Sequence, residues 1–170
     1  VAALAGVMAI GMLSGCGSKS IDGEKTVATV DGTAIPMGVV SLYARESQAQ
    51  TVAMYQSFMG SASNIWSQVV DEKSGKTYGE QAAEQFMEQV ELMYIMKEKA
   101  ADYDVEVTSD DETAIADAAA QFMQDNDEDT LKELAVSEEQ VKTLLELETY
   151  RQRIYEPIRN EADVDITDEE

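Results

Sequence analysis

The chain has 170 residues, 34 of them acidic against 12 basic, with no histidine and one cysteine, for a formal charge of −22. That balance disfavours nucleic-acid binding, which needs clustered Lys and Arg against the phosphates. The missing imidazoles exclude Ser-His-Asp and Cys-His relays and His-rich zinc sites, and a solitary Cys16 excludes an internal disulfide.

The charge is uneven: residues 1–18 carry none, residues 17–102 sum to −5 and residues 103–170 to −17. Val1 to Leu13 is apolar but shorter than the roughly 20 residues of a membrane-spanning helix, and it reads as the core of a secretory signal. Leu13-Ser14-Gly15-Cys16 follows and resembles the bacterial lipobox. The resemblance implies that Cys16 is diacylglycerol-modified and becomes the first mature residue. Two acyl chains suffice for stable anchoring, which places the protein on the outer face of the cell membrane. Residues 1–15 are thus expected to be a signal peptide truncated at its start, since no Met and no basic residue precede the apolar run, and residues 16–25 a lipid-anchored linker.

A helical domain is expected over residues 26–166. It opens with two short β-type runs, Thr26–Val30 and Thr33–Ile35, around Asp31-Gly32, the dipeptide that suits a tight hairpin turn. Pro36 sits at a natural first helical position. From Met37 the apolar residues recur at three- and four-residue steps through Val40, Tyr43 or Ala44, and further on Val52, Tyr55, Phe58 and Met59, until Gly60 to Asn64 breaks the pattern. Ile65-Trp66 and Val69-Val70 precede a polar loop, Asp71 to Thr77. A second helix is predicted from about Gly79 to Asp102, with an apolar stripe of Ala83, Phe86, Met87, Val90, Met93, Tyr94 and Ala101. Lys97 and Lys99 near its end complement the macrodipole.

Val105 to Val107 reads as extended. Thr108 with Asp111 is a variant capping box that starts a third helix, a short fourth runs from Glu128 to Leu134, and Ser137-Glu138-Glu139-Gln140 opens a fifth. Pro157 is expected to kink or end that helix. After the extended Val164-Asp165-Ile166, residues 167–170 form another helix start, read as the beginning of a missing C-terminal part.

Two acidic groups invite metal readings. Asp125 to Asp129 opens like a calcium loop, but Thr130 stands where glycine makes the turn and Val136 where a bidentate Glu closes the site; a helix cap accounts for it. Glu80, Glu84, Glu88 and Glu91 share one helical face without a histidine and read as a solvated face. No Gly-rich phosphate loop is present, so neither nucleotide nor any other cofactor is expected. Seven methionines beyond the leader join the aromatics in soft apolar stripes, which are either core or a binding surface for varied apolar segments. Trp66 is either a core plug or a client contact.

The order of elements, with the phrase Val27-Ala28-Thr29-Val30-Asp31-Gly32-Thr33-Ala34-Ile35, then Lys97 to Ala101, Val105 to Glu112 and Leu134 to Gln140, resembles the start of the SurA/PrsA-type foldases. Asp31 replaces the more usual Asn of their opening phrase. The resemblance implies a mainly α, SurA N-terminal-like helical chaperone domain with a short N-terminal β-hairpin, which binds unfolded secreted polypeptides outside the cytoplasm. Candidate client contacts are Tyr43, Met54, Tyr55, Phe58, Met59 and Trp66. Many relatives carry a parvulin-type peptidyl-prolyl isomerase domain, and nothing in these residues supplies its catalytic site. Two alternatives stay open: the N-terminal part of an isomerase whose catalytic domain lies beyond residue 170, and a surface lipoprotein docking on one specific partner.

Overall fold

Asp31 and Gly32 both take positive φ, 44° and 87°, the conformation that a two-residue hairpin turn requires. In the computed structural model, which describes residues 21–60 and 64–161, they join β1 (Thr26–Val30) to β2 (Thr33–Pro36) as an antiparallel pair, with Val30 opposite Thr33. The expectations for Cys16 and its leader, for Ser61 to Ser63 and for Val164 to Glu170 lie outside the described residues.

α1 (Met37–Met59) starts after Pro36 without a side-chain cap. Its first amides are satisfied by the chain ahead of the hairpin: Met37 N–H donates to the Lys25 carbonyl at 2.8 Å and Gly38 N–H to the Gly23 carbonyl at 2.9 Å. Gly60, left-handed at φ 71°, closes the helix through a bond to the Gln56 carbonyl, as glycine does at helix ends. A short 3₁₀ turn, Ile65–Ser67, leads to a second hairpin, β3 (Val69–Asp71) paired with β4 (Lys76–Thr77). The polar loop expected there is therefore partly strand. Asp71 closes its turn by accepting from Lys73 N–H at 2.9 Å and Ser74 Oγ at 2.7 Å, and Gly75 supplies the positive φ.

Thr77 and Glu80 form a complete capping box at the start of α2 (Tyr78–Lys99), and a 3₁₀ turn, Ala100–Tyr103, follows. Thr108 and Asp111 do the same for α3 (Ser109–Asp125), Asp127 caps α4 (Glu128–Leu134), and Ser137 with Gln140 opens α5 (Glu138–Glu161). The molecule is mainly helical, with a small antiparallel hairpin near its N-terminus. One core gathers Ile35 of β2, Val39 of α1, Val90 and Met93 of α2, and Leu144 and Leu147 of α5.

Two expectations are corrected. Ala82 and Ala100, not Ala83 and Ala101, are the buried alanines at the ends of the α2 stripe. At its start α2 faces the Ile65–Ser67 turn rather than the core, with Gly79 so close to the Trp66 carbonyl that a Cβ would lie 2.9 Å from its oxygen. At its end the tighter 3₁₀ winding shifts the phase by one residue. Of the two outcomes expected at Pro157, a kink or an end, the end does not occur: α5 runs on to Glu161. The proline forfeits a single main-chain bond, while Ile154, fully buried, anchors the preceding turn and Glu161 lies beside the Tyr103 hydroxyl beyond it.

Charged contacts orient the helices. Arg153 of α5 donates to the Glu106 carbonyl and to Asp111 Oδ1, both at 2.6 Å, tying the approach to α3 onto α5. The Arg153 guanidinium and the Thr108 cap hold the Asp111 carboxyl well below the usual carboxylate range. Glu46 of α1 is the opposite case: burial, then the neighbouring Glu148, push it up, while Arg151 partly offsets them. A carboxyl whose pKa is raised by folding costs stability once ionised. The cost is absent below its unfolded value and complete above the raised folded one. Glu46→Gln is accordingly expected to raise the urea midpoint at pH 7 relative to the parent and to make no difference below about pH 4; equal midpoints at pH 7 would refute the burial assigned to this carboxyl.

Candidate functional site

The β1–β2 hairpin fixes one end of the molecule. Met37 lies beside Lys25 at the start of α1, and Asp31 in the hairpin turn lies beside Glu98 in the last turn of α2, whose carboxyl desolvation and then Asp31 push up. Further along, the Tyr43 ring meets Phe86 edge-on at 6.2 Å. α1 and α2 therefore run antiparallel away from the hairpin. The last turns of α1 and the first turn of α2, with the 3₁₀ turn and second hairpin attached to it, make up the far end.

The six nominated residues divide there. Tyr43 is half-buried against Phe86, and Trp66 is half-buried in a stack on Tyr78 with ring centroids 5.4 Å apart. Both are committed to intramolecular packing, so for Trp66 the structure provides a structural partner. Tyr55 is half-buried. Met54, Phe58 and Met59 are not covered: they are 52%, 83% and 74% exposed. Residues three and four apart on a helix are neighbours, so Met54, Tyr55, Phe58 and Met59 form one contiguous apolar face on the last turns of α1. Val69 and Val70 of β3, at 56% and 47% exposure, are further exposed apolar surface. Two adjacent valines ahead of a short turn carry no alternation by which to assign a face, and only the strand pairing exposes them.

The other exposed large apolar residues among those described are Ile21 ahead of β1, the neighbours Leu92 and Ile95 on α2, and Tyr155 on α5. An open groove of about 520 Å³ lies between Ile21–Glu24 and the α4–α5 junction, lined by Leu131, Val136 and the charged Glu24, Glu128 and Lys132. It is shallow and its charges are of both signs, so it lacks the enclosed apolar lining of a small-molecule site. Of the four aligned glutamates, Glu80 caps α2 and Glu84 pairs with Lys76, and Asp127 of the calcium-like run accepts from Thr130 N–H at 2.8 Å as the α4 cap. Among the described residues no three His, Cys, Asp or Glu side chains gather as metal ligands, and no helix is long and apolar enough to cross a membrane. No family model, curated protein or solved structure matches the chain.

Proposed function

We propose that the protein is an extracytoplasmic chaperone of the SurA N-terminal-like kind, held on the outer face of the membrane by lipid on Cys16, which binds unfolded secreted polypeptides without nucleotide. The observation that carries this reading is the uncovered apolar face of Met54, Phe58 and Met59, with half-buried Tyr55 among them, on a helix whose other half is locked into the core. Flexible methionines beside an aromatic accommodate varied apolar partners. Around that face a strongly acidic molecule stays soluble when loaded and keeps away from anionic lipid.

In several-fold excess, the purified protein is expected to suppress light scattering by an unfolded secreted protein as it refolds, and Phe58→Ser with Met59→Ser to lose most of that suppression. Because both side chains are solvated, the double variant should unfold within about 0.5 kcal/mol of the parent. Absence of suppression by the parent would overturn the chaperone reading.

A further inference from the structure

From Ser47 to Val70 the chain contains no Asp, Glu, Lys or Arg. In a molecule that is 27% charged, a stretch of these 24 residues would ordinarily carry about six charges, and surface positions more. The stretch is not core: from Ala53 to Gly60, all but Tyr55 are exposed, and so are Asn64 and Ser67 to Val70. Removing charge from an exposed surface lowers the cost of drying it against a partner, and the centres of protein interfaces are depleted of charge for that reason. Charge returns at both borders, with Arg45 and Glu46 before the stretch and Asp71, Glu72 and Lys73 after it.

We infer that the exposed surface of this charge-free stretch is a recognition surface for uncharged, apolar segments of about six extended residues flanked by Lys or Arg. The inference rests on the chaperone reading and names the segment it selects. The length follows from geometry: Ser47 to Met59 spans about 20 Å of helix, which an extended chain covers in about six residues. The flanks follow from charge, since residues beyond the neutral surface enter the field of a body carrying −22, which attracts basic and repels acidic neighbours.

The same observations disfavour other occupants. Two copies of a body carrying −22 repel one another, which disfavours a dimer across this surface. Helices that lie in a membrane interface carry Lys and Arg on their polar face, and this stretch has neither.

The test titrates the purified protein against fluorescent peptides with one apolar hexamer between two lysines, or between two glutamates, at each end. The lysine-flanked peptide is expected to bind at least tenfold more tightly at low salt, the gap to narrow at 0.5 M salt, and Phe58→Ser with Met59→Ser to weaken both peptides. Equal binding of the two peptides, or binding indifferent to the double variant, with aggregation suppression intact, overturns this inference and leaves the chaperone reading standing. No peptide binding together with no suppression overturns both. Binding to zwitterionic vesicles that the double variant abolishes, without peptide binding, reassigns the surface to lipid and overturns the inference.

Discussion

Leu147→Ala is expected to lower the unfolding free energy by about 3 kcal/mol, within the roughly 2–5 kcal/mol that buried leucines cost when truncated. Leu147 is fully buried in the shared core, on the face of α5 that also presents Leu144. α5 packs against α1, α2 and α3. Truncation there removes methyl groups from a point where several rigid elements meet, so little collapse into the space is available and the cavity contribution stays near its full size. For a chain of this length the loss corresponds to about 6–12 °C in Tm. Urea unfolding followed by circular dichroism measures it, with a lower midpoint and an unchanged slope. Tyr155→Ala, on the exposed side of the same helix, should move stability by no more than about 0.5 kcal/mol. A loss under about 1 kcal/mol for Leu147→Ala would mean that the core is loosely packed rather than interlocked.

This core was largely legible in the sequence because long helices announce themselves through repeated apolar spacing. That spacing places Val40, Val90 and Met93, and all three are buried. The helix starts were legible because their signals are local: Thr108 with Asp111 and Ser137 with Gln140 form the boxes that their residue types encode. The Thr77–Glu80 box belongs to the same class, but the residues ahead of it have the composition of an uninterrupted polar loop. β3 and β4 are three and two residues long, too short for alternation to register, and they are held by the Asp71 turn rather than by a buried face. The candidate site was legible in its residue types but not in its membership. Periodicity groups Tyr43 with Phe58 on one helix, whereas burial depends on what lies opposite. Phe86 stands opposite Tyr43, and Tyr78 lies under Trp66. Nothing in the chain before the fold says that the last turns of α1 extend past their neighbours.

Nor does the sequence disclose the junction at which the hairpin end is fastened, and Gly38→Ala is the substitution expected to expose it. In the first turn of a helix, Gly to Ala ordinarily stabilises by up to about 1 kcal/mol. Here a Cβ on Gly38 would overlap the side-chain amide of Gln140 and lie 2.8 Å from the Ala135 carbonyl oxygen. Gln140 has little room to yield. It is buried, its Oε1 accepts from Ser137 N–H, and its Nε2 donates to the Gly23 carbonyl and to Glu24 Oε1, each at 3.0 Å. The Gly23 carbonyl in turn accepts from Gly38 N–H. Three segments distant in sequence, at Gly23–Glu24, Gly38 and Ala135–Gln140, thus meet through one amide. Overpacking should outweigh the propensity gain, for a net loss of about 2 kcal/mol. Gln140→Ala alone should cost a similar amount, since it removes half of the α5 capping box and both long-range bonds. In the double variant the alanine at 38 meets only the Ala135 carbonyl. The combined loss should then fall short of the sum by about 1 kcal/mol or more, the coupling expected of residues in direct contact. A stabilising Gly38→Ala, or losses that add to within about 0.5 kcal/mol, would mean that Gln140 does not press on the start of α1, and that the hairpin end is held by the Lys25 and Gly23 carbonyls alone.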